Sequence, residues 1–326
     1  MGFRLLCTGL LYVGIAQSAT LPGLEAAARQ QLNEVFATTA LLTDSDALTL
    51  GFVSFDPNEY LPIDNPDFGD GNSVSLRNEL EVYTLPWSWN LGLWQGWRSS
   101  LKARLSYVRS KQELSLFILD DPTLDLNDDR IYSLFLQPRL SYPLSSRWRF
   151  HLGLGGHLMR YDNEFTFRNR QSKLLQPELD GSLTNISVNA WMVQPEVGLD
   201  YRFERGRSYW HYETSFNYLW GRSFDVDRPA LRAEPKSWRW LNGVSMRRPF
   251  PALMTHQDYR LSLNRIDIGG DSVRPFDTHH YYEFSAEWLL NTKTHLPLLD
   301  NIGIGLQLNY GSALKGASLI LVYNVD

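Results

Sequence analysis

The side chains with the most evident capacity for chemistry are seven histidines, because imidazole titrates near neutral pH and serves as a base or a metal ligand. They are His151, His157, His211, His256, His279, His280 and His295. A serine hydrolase acting at a membrane needs a base beside its nucleophile, and no His-x-Ser sequence occurs. Asp277-Thr278-His279 instead has the Asp-x-His spacing that can activate water. Three such residues recur by chance, so a solvated pair is preferred, and a surface hydrolase stays open as an alternative.

Acidic residues also occur in runs, notably Asp120, Asp121, Asp125, Asp128 and Asp129. Carboxylate oxygens bind divalent cations, but the regular Asp-x-Asp-x-Asp-Gly spacing of a calcium loop is absent from the sequence. We interpret these runs as hydrated loops and predict no metal site and no cofactor.

The composition excludes some classes of function. The 326 residues carry a net charge of −5, so no basic field is available for nucleic acid. Aromatic residues make up 13% of the chain although the mean hydropathy is −0.30. This mixture indicates segments that are apolar on one side only.

The first 18 residues have the features of a secretory signal. Arg4 precedes a short apolar core from Leu5 to Ala16, and Ala16 and Ser18 supply the small residues of a cleavage site. A membrane helix needs about 20 apolar residues, which neither this core nor any later stretch provides. We therefore predict that residues 1–18 are a signal peptide, and that an exported chain in a membrane would cross it as strands. Cleavage would also remove the single cysteine, Cys7, which excludes disulfides.

Beyond about residue 47 the hydrophobic pattern has a period of two. In 301–311, Ile302, Ile304 and Leu306 alternate with glycine and polar residues, as in a strand with one apolar face. Twelve segments share this pattern: 48–55, 73–85, 98–110, 130–142, 147–160, 187–204, 207–221, 236–248, 257–268, 278–291, 300–312 and 317–325. An even number of such strands is typical of a closed membrane barrel.

The connections alternate between short turns and long, acidic or proline-containing loops, as in barrels of the outer membrane. This alternation predicts that both termini lie on the periplasmic side. The first turn, 86–97, is predicted to be longer, rich in tryptophan and close to a membrane interface. A soluble β-sandwich would also alternate, but its core is only about 10 Å thick and would have to contain all the large aromatic residues. The predicted fold is all-β: a 12-stranded antiparallel transmembrane outer-membrane β-barrel over 47–326, in a Gram-negative bacterium.

The one predicted helix, 23–42, is rich in alanine and lies in the N-terminal segment 19–46. Two positions are open for it: inside the lumen as a plug, or beneath the barrel in the periplasm. Charged residues of both signs occupy the predicted inward face, which favours a salt-bridged interior over a pore of one sign. The predicted lumen-lining residues are Arg104, Arg139, Arg149, Glu196, Arg202, Glu213, Arg260, Glu283 and Glu287.

With twelve strands, a helix before the first and a final strand that ends the chain, residues 23–326 resemble the translocation barrels of autotransporters. About five residues separate the predicted cleavage site from the helix, so the chain is most similar to the solitary, passenger-less barrels of that kind. The resemblance implies place and fold more than activity. It also implies that the last strand is a signal for the barrel insertion machinery. Its outline matches Gly316, Leu319, Leu321 and Tyr323, but Leu314, Val325 and Asp326 depart from it.

Three functions follow as hypotheses. The first is a non-enzymatic integral outer-membrane barrel, autotransporter-like, whose partners are outer-membrane lipid, lipopolysaccharide and the insertion machinery. The second is a porin-like channel for small solutes with a charged lumen, gated or plugged by the helix. The third is an omptin-like surface hydrolase centred on Asp277 and His279.

Overall fold

The computed structural model describes residues 21–44, 48–50, 80–114, 123–250, 257–292, 301–311 and 316–323. The predicted signal peptide, 1–18, lies outside the described residues. The strands are β1 Leu48–Leu50, β2 Leu80–Trp94, β3 Trp97–Leu114, β4 Asp125–Pro143, β5 Trp148–Thr166, β6 Ser187–Arg205, β7 Ser208–Phe224, β8 Lys236–Pro249, β9 Gln257–Gly270, β10 His280–Asn291, β11 Asn301–Tyr310 and β12 Gly316–Tyr323. The helices are α1 Leu21–Leu42, α2 Ser172–Leu179 and α3 Val273–Phe276, with a 3-10 turn at Pro229–Leu231.

The strands pair antiparallel with their neighbours in sequence, and the sheet closes on itself. Closure occurs at β1, where Thr49 lies opposite Thr84 of β2 on one side and Ile320 of β12 on the other. A closed sheet has no unpaired edge, and this is the condition for strands to cross a membrane. The prediction of an antiparallel 12-stranded barrel is confirmed, with β1 as a strand of three described residues.

Alternation along each strand separates an outward from an inward face. In β11, Ile302 and Ile304 are 42% and 53% exposed, whereas Asn301 is 3% exposed. The described chain has no helix with the length and hydrophobicity that a membrane-spanning helix requires.

The two ends of the barrel differ. Short connections at 95–96, 144–147 and 206–207 define what we call the turn end. The long connections, with α2, the 3-10 turn and α3, define the opposite loop end.

The prediction for the first turn, 86–97, was wrong. β2 continues to Trp94, and the turn is Gln95-Gly96 alone, with φ angles of 49° and 83°. Two successive residues with positive φ suit the tight hairpins that match the twist of a sheet. Pro86 and Gly92, which are depleted in strands, are accommodated within β2, with a register shift between Asn90 and Gly92.

Helix α1 enters the barrel from the loop end. Its first turns are largely exposed, whereas nearly every residue from Leu32 to Ala40 is buried. Leu32, Val35, Phe36 and Ala40 belong to one apolar cluster with inward-facing residues of the wall. The wall residues of this cluster include Val82, Val108, Ile131, Tyr161, Val188 and Leu219.

The described ends of the chain lie at opposite ends of the barrel. The start of α1 lies beyond Glu34, which contacts α3 at the loop end. Tyr323, at the end of β12, pairs with Ile302 near the turn end. Of the two positions left open for the helix, the structure shows the lumen. The location of both termini on the periplasmic side stays a prediction, because residues 1–20 and 324–326 lie outside the described residues.

Candidate functional site

The innermost end of α1 is anchored by one carboxylate. Asp44 follows the helix and accepts hydrogen bonds from the guanidinium groups of Arg104 on β3 and Arg239 on β8. These strands are far apart around the barrel, so a single side chain ties the helix to two walls. Burial by itself would raise the pKa of Asp44, but the two arginines outweigh it and hold the pKa well below its usual range. Asp44 is therefore charged at neutral pH.

Arg104 is the first of a row of inward-facing side chains that contact one another along the wall. Its guanidinium lies 4.0 Å from the centroid of the Phe135 ring, and that ring lies 4.4 Å from the imidazole of His157. His157 Nε2 is 2.7 Å from Gln194 Oε1, and the Gln194 amide donates to Asn217 at 3.1 Å. His157 Nε2 and the Gln194 amide are thus paired within the row, whereas His157 Nδ1 is buried without a hydrogen-bond partner in the described chain.

The loop end holds α1 through two further contacts. Asn33 accepts a hydrogen bond of 2.7 Å from the backbone N–H of Glu234, which precedes β8. Glu34 forms an ion pair of 2.6 Å with Arg274 of α3. Burial raises the pKa of Glu34, while Arg274 opposes the shift. Burial raises the pKa of the neighbouring Asp271 as well.

The pKa of Glu34 predicts a pH dependence. A carboxyl group whose folded pKa exceeds its unfolded value stabilises the fold most below the unfolded pKa, and this contribution is lost as pH rises through the folded pKa. Stability conferred by Glu34 should therefore increase on acidification toward its usual pKa of 4.5. We expect Glu34→Gln to flatten the pH dependence of the melting temperature relative to wild type. An unchanged difference between the two proteins across the acidic range would contradict this account.

The predicted Asp277 and His279 lie in a polar pocket at this rim. The pocket has a volume of about 440 Å³ and is also lined by Glu34, Asp271 and Arg274. Asp277 and His279 are both exposed, and no hydrogen bond or ion pair joins their side chains within the described chain. The structure thus brings these groups into one pocket without forming the Asp–His pair that water activation would use.

A second polar cluster lies inside the barrel nearer the turn end. Arg139 approaches Glu196 at 3.2 Å, and the buried His151 lies 3.4 Å from Glu196 and 3.4 Å from Asp200. Asp200 is also 3.1 Å from His211. Gly198 leaves the space for this arrangement, because a Cβ at that position would overlap the His151 ring.

Part of this cluster has the geometry of a metal site. One ligand atom each from Asp200, His211 and Glu213 lies within 4.8 Å of the others. However, Arg149 lies opposite Asp200 in the sheet and Arg202 lies opposite His211. These arginines, with Arg139, supply positive charge next to the carboxylates, so a cation is not needed to balance them. We interpret the cluster as a network of ion pairs on the wall from β4 to β7.

The remaining wall, β9 to β12, carries a smaller polar group and an apolar one. Arg260 is 3.5 Å from Glu287. Glu283 accepts hydrogen bonds from Asn264 at 3.0 Å and from Gln307 at 2.7 Å. Three buried apolar residues pack together toward the lumen, namely Leu289, Ile320 and Val322. The inward face therefore contacts a helix toward the loop end and carries paired charges toward the turn end.

A family model described as the solitary outer membrane autotransporter beta-barrel domain matches residues 33–325. The chain belongs to this family. Membership agrees with the resemblance inferred from sequence and implies the outer membrane of a Gram-negative bacterium. The matched region begins within α1, so it includes the part of the helix that occupies the lumen of this solitary autotransporter barrel.

Several solved structures are similar to this solitary autotransporter barrel. The transport unit of the autotransporter AIDA-I from Escherichia coli shares 10% identity with a TM-score of 0.46, covering 76% of this chain and 82% of that one. The beta domain of the Bordetella autotransporter BrkA shares 12% identity with a TM-score of 0.42, covering 74% and 88%. LpxR from Salmonella typhimurium shares 8% identity with a TM-score of 0.37, covering 74% and 86%. No curated protein matches the chain.

All nine predicted lumen-lining residues of this autotransporter barrel lie on inward-facing positions. They are Arg104, Arg139, Arg149, Glu196, Arg202, Glu213, Arg260, Glu283 and Glu287. The prediction omitted Asp44, Asn33 and Glu34, which bind the helix to the wall. A signal was present for Asp44, since an acidic residue directly after an amphipathic helix faces a wall rich in arginine.

The predicted assembly residues belong to β12. Leu319 is exposed on the outward face, and Leu321 and Tyr323 share that face, while Gly316 lies opposite Asn309. Val325 lies outside the described residues. The role of these residues in recognition by the insertion machinery stays a prediction.

Proposed function

We propose that this protein is a non-enzymatic outer-membrane barrel that its own N-terminal helix keeps closed, and that it presents the start of that helix at the cell surface. The observation that carries the proposal is the bridge from Asp44 to Arg104 and Arg239. A helix that lay in the lumen by chance would have no reason to end on a buried carboxylate shared by two walls.

Contacts at three depths support closure. The apolar cluster around Phe36 fills the space between β2 and β7. The contacts of Asn33 and Glu34 hold the helix at the rim, and Asp44 holds its inner end. Because the exposed start of α1 lies at the loop end, and loops of outer-membrane barrels are external, the helix start is exposed to the medium.

This orientation can be tested on intact cells with a thiol reagent that does not cross the membrane. We expect Gly23→Cys, at the exposed start of α1, to be labelled. The matched variant Ser146→Cys, in an exposed turn at the opposite end, should be labelled only after the outer membrane is permeabilised. Labelling of Ser146→Cys alone on intact cells would reverse the orientation.

The charged lumen favours a second candidate, a channel for small solutes. In that case α1 would be a gate, and the wild-type protein would conduct in planar bilayers under some condition. Closure predicts low conductance in the wild type that rises when the helix is released. If conductance is the same with the helix held or released, neither account of α1 stands.

A further inference from the structure

A concave groove of about 670 Å³ lies on the outward surface of the barrel, across β2 to β7. Its lining is mainly apolar or aromatic, and Arg160 is the one charged residue among the lining residues. A barrel wall that simply faces hydrocarbon needs neither concavity nor an arginine. The lining also includes four inward-facing residues, Thr84, Ser106, Ser133 and Met159, and Met159 belongs to the apolar cluster that contacts α1.

The sheet register arranges the groove in layers. The layer nearest the turn end contains leucines on four consecutive strands, Leu85, Leu105, Leu134 and Leu158. The next layer toward the loop end contains Tyr83, Tyr107, Tyr132 and Arg160. Successive rings of the three tyrosines are 6.2 Å and 5.2 Å apart. Aromatic residues with one polar end mark the boundary between hydrocarbon and headgroups.

A charged layer follows directly above the tyrosines, with Glu81, Arg109, Arg130 and Asp162 in register. Arg109 is held by Asp128 through two hydrogen bonds of 3.0 and 2.7 Å. Arg130 uses one Nη group to reach both Asp128 and Glu164. The guanidinium groups are therefore fixed in position at the level where lipid headgroups lie.

Arg160 joins the apolar and charged layers. Its Nε donates to both carboxylate oxygens of Asp162 at 3.1 Å, and 57% of its side chain is exposed. In the described chain its two Nη groups have no hydrogen-bond partner. A guanidinium binds phosphate through paired N–H groups. Arg160 can therefore donate hydrogen bonds to a phosphate while Asp162 holds the guanidinium in position.

We propose that this groove binds a phosphorylated, multiply acylated lipid, with acyl chains on the leucine layer and a phosphate on Arg160. The leucine layer, on β2 to β5, spans three inter-strand spacings of about 4.8 Å, or about 14 Å. That width suits several chains side by side better than the two chains of a glycerophospholipid. Lipid A is the lipid of this chemistry in the outer leaflet, and its choice rests on the proposed orientation of the barrel.

Binding in detergent tests the site independently of orientation. Native mass spectrometry of the purified full chain would be run with bisphosphorylated hexa-acyl lipid A, with the same lipid after phosphate removal, and with phosphatidylglycerol. We expect phosphate removal to weaken binding at least about tenfold, the scale of charge-assisted hydrogen bonds. Phosphatidylglycerol should also bind more weakly than lipid A. Equal binding of the phosphorylated and dephosphorylated lipids would overturn the proposal. This comparison of lipids needs no variant of the protein.

Two arginine variants localise the effect. Arg160→Gln should reduce lipid A binding by about as much as phosphate removal does. Arg265→Gln is the matched control, because Arg265 also faces outward, also pairs with an aspartate two residues along, and lies 5.9 Å from the Tyr282 ring outside the groove. Equal losses of lipid A binding in both variants would contradict the proposal. A lipid-free dimer that Arg160→Gln leaves unchanged would indicate that the groove is an interface between two copies of the chain.

Discussion

Replacing Asp44 with asparagine is expected to destabilise the barrel and to open its lumen. The substitution removes the charge that Arg104 and Arg239 share, and leaves two guanidinium groups inside the barrel without their counter-ion. Breaking a buried ion pair by removing one partner costs about 3–5 kcal/mol. Because the bridge also holds the inner end of α1, the same change should increase conductance in planar bilayers.

The matched control for this prediction is Asp258→Asn. Asp258 also faces inward and pairs with Arg247 at 2.7 Å, and its side chain is 19% exposed against 18% for Asp44. No hydrogen bond or ion pair joins it to α1 in the described part of the chain, so the variant should lose some stability without a gain in conductance. The free energy of unfolding in detergent and single-channel recordings would separate the two effects. Equal conductance of both variants would mean that Asp44 does not hold a plug.

Deleting residues 316–326 should abolish insertion of the barrel while leaving export intact. β12 pairs with β11 at eight positions, from Ile302–Tyr323 to Asn309–Gly316, and with β1 at two. Its removal would leave backbone groups of β11 unpaired in hydrocarbon, where each costs several kcal/mol. We expect no heat-modifiable band on gels and no protein in the membrane fraction. Normal insertion of the truncated chain would refute both the pairing argument and the predicted assembly role.

Two substitution variants separate backbone pairing from the outward apolar pattern. Leu319→Ser with Leu321→Ser keeps the strand but removes two apolar side chains from the outward face. Leu319→Val with Leu321→Val keeps both the strand and the pattern, and should insert normally. Failure of the serine variant alone would attribute recognition to the apolar face of β12. Normal insertion of both would leave backbone pairing as the requirement.

Much of the wall could be predicted because its signal is local. Residues such as Ile302 and Ile304 must alternate with inward residues wherever one face meets lipid. The sequence predicts too early an end for the second strand because Pro86 and Gly92 are poor strand residues. A register shift can accommodate them only within a formed sheet. Local propensity could not show this tertiary accommodation.

The position of α1 could not be predicted from the sequence, for a different reason. Its composition predicts a helix with one apolar face, but that face fits a lumen and a periplasmic surface equally well. The contacts that decide the matter join Asp44 to residues 60 and 195 positions away. The lipid groove could not be predicted for the same reason. It arises from the curvature and register of six strands and from no single segment.

The three-residue strand β1 makes the plug and the wall mechanically continuous. Among the described residues, β1 pairs with β12 at Leu48 and Thr49, and four residue steps separate Leu48 from Asp44. Such a connection spans at most about 14 Å, so it can take up little slack. A pull on α1 toward the loop end would thus load the join between β1 and β12 directly. Withdrawal of the helix and parting of the wall at that join are then one coupled movement instead of two.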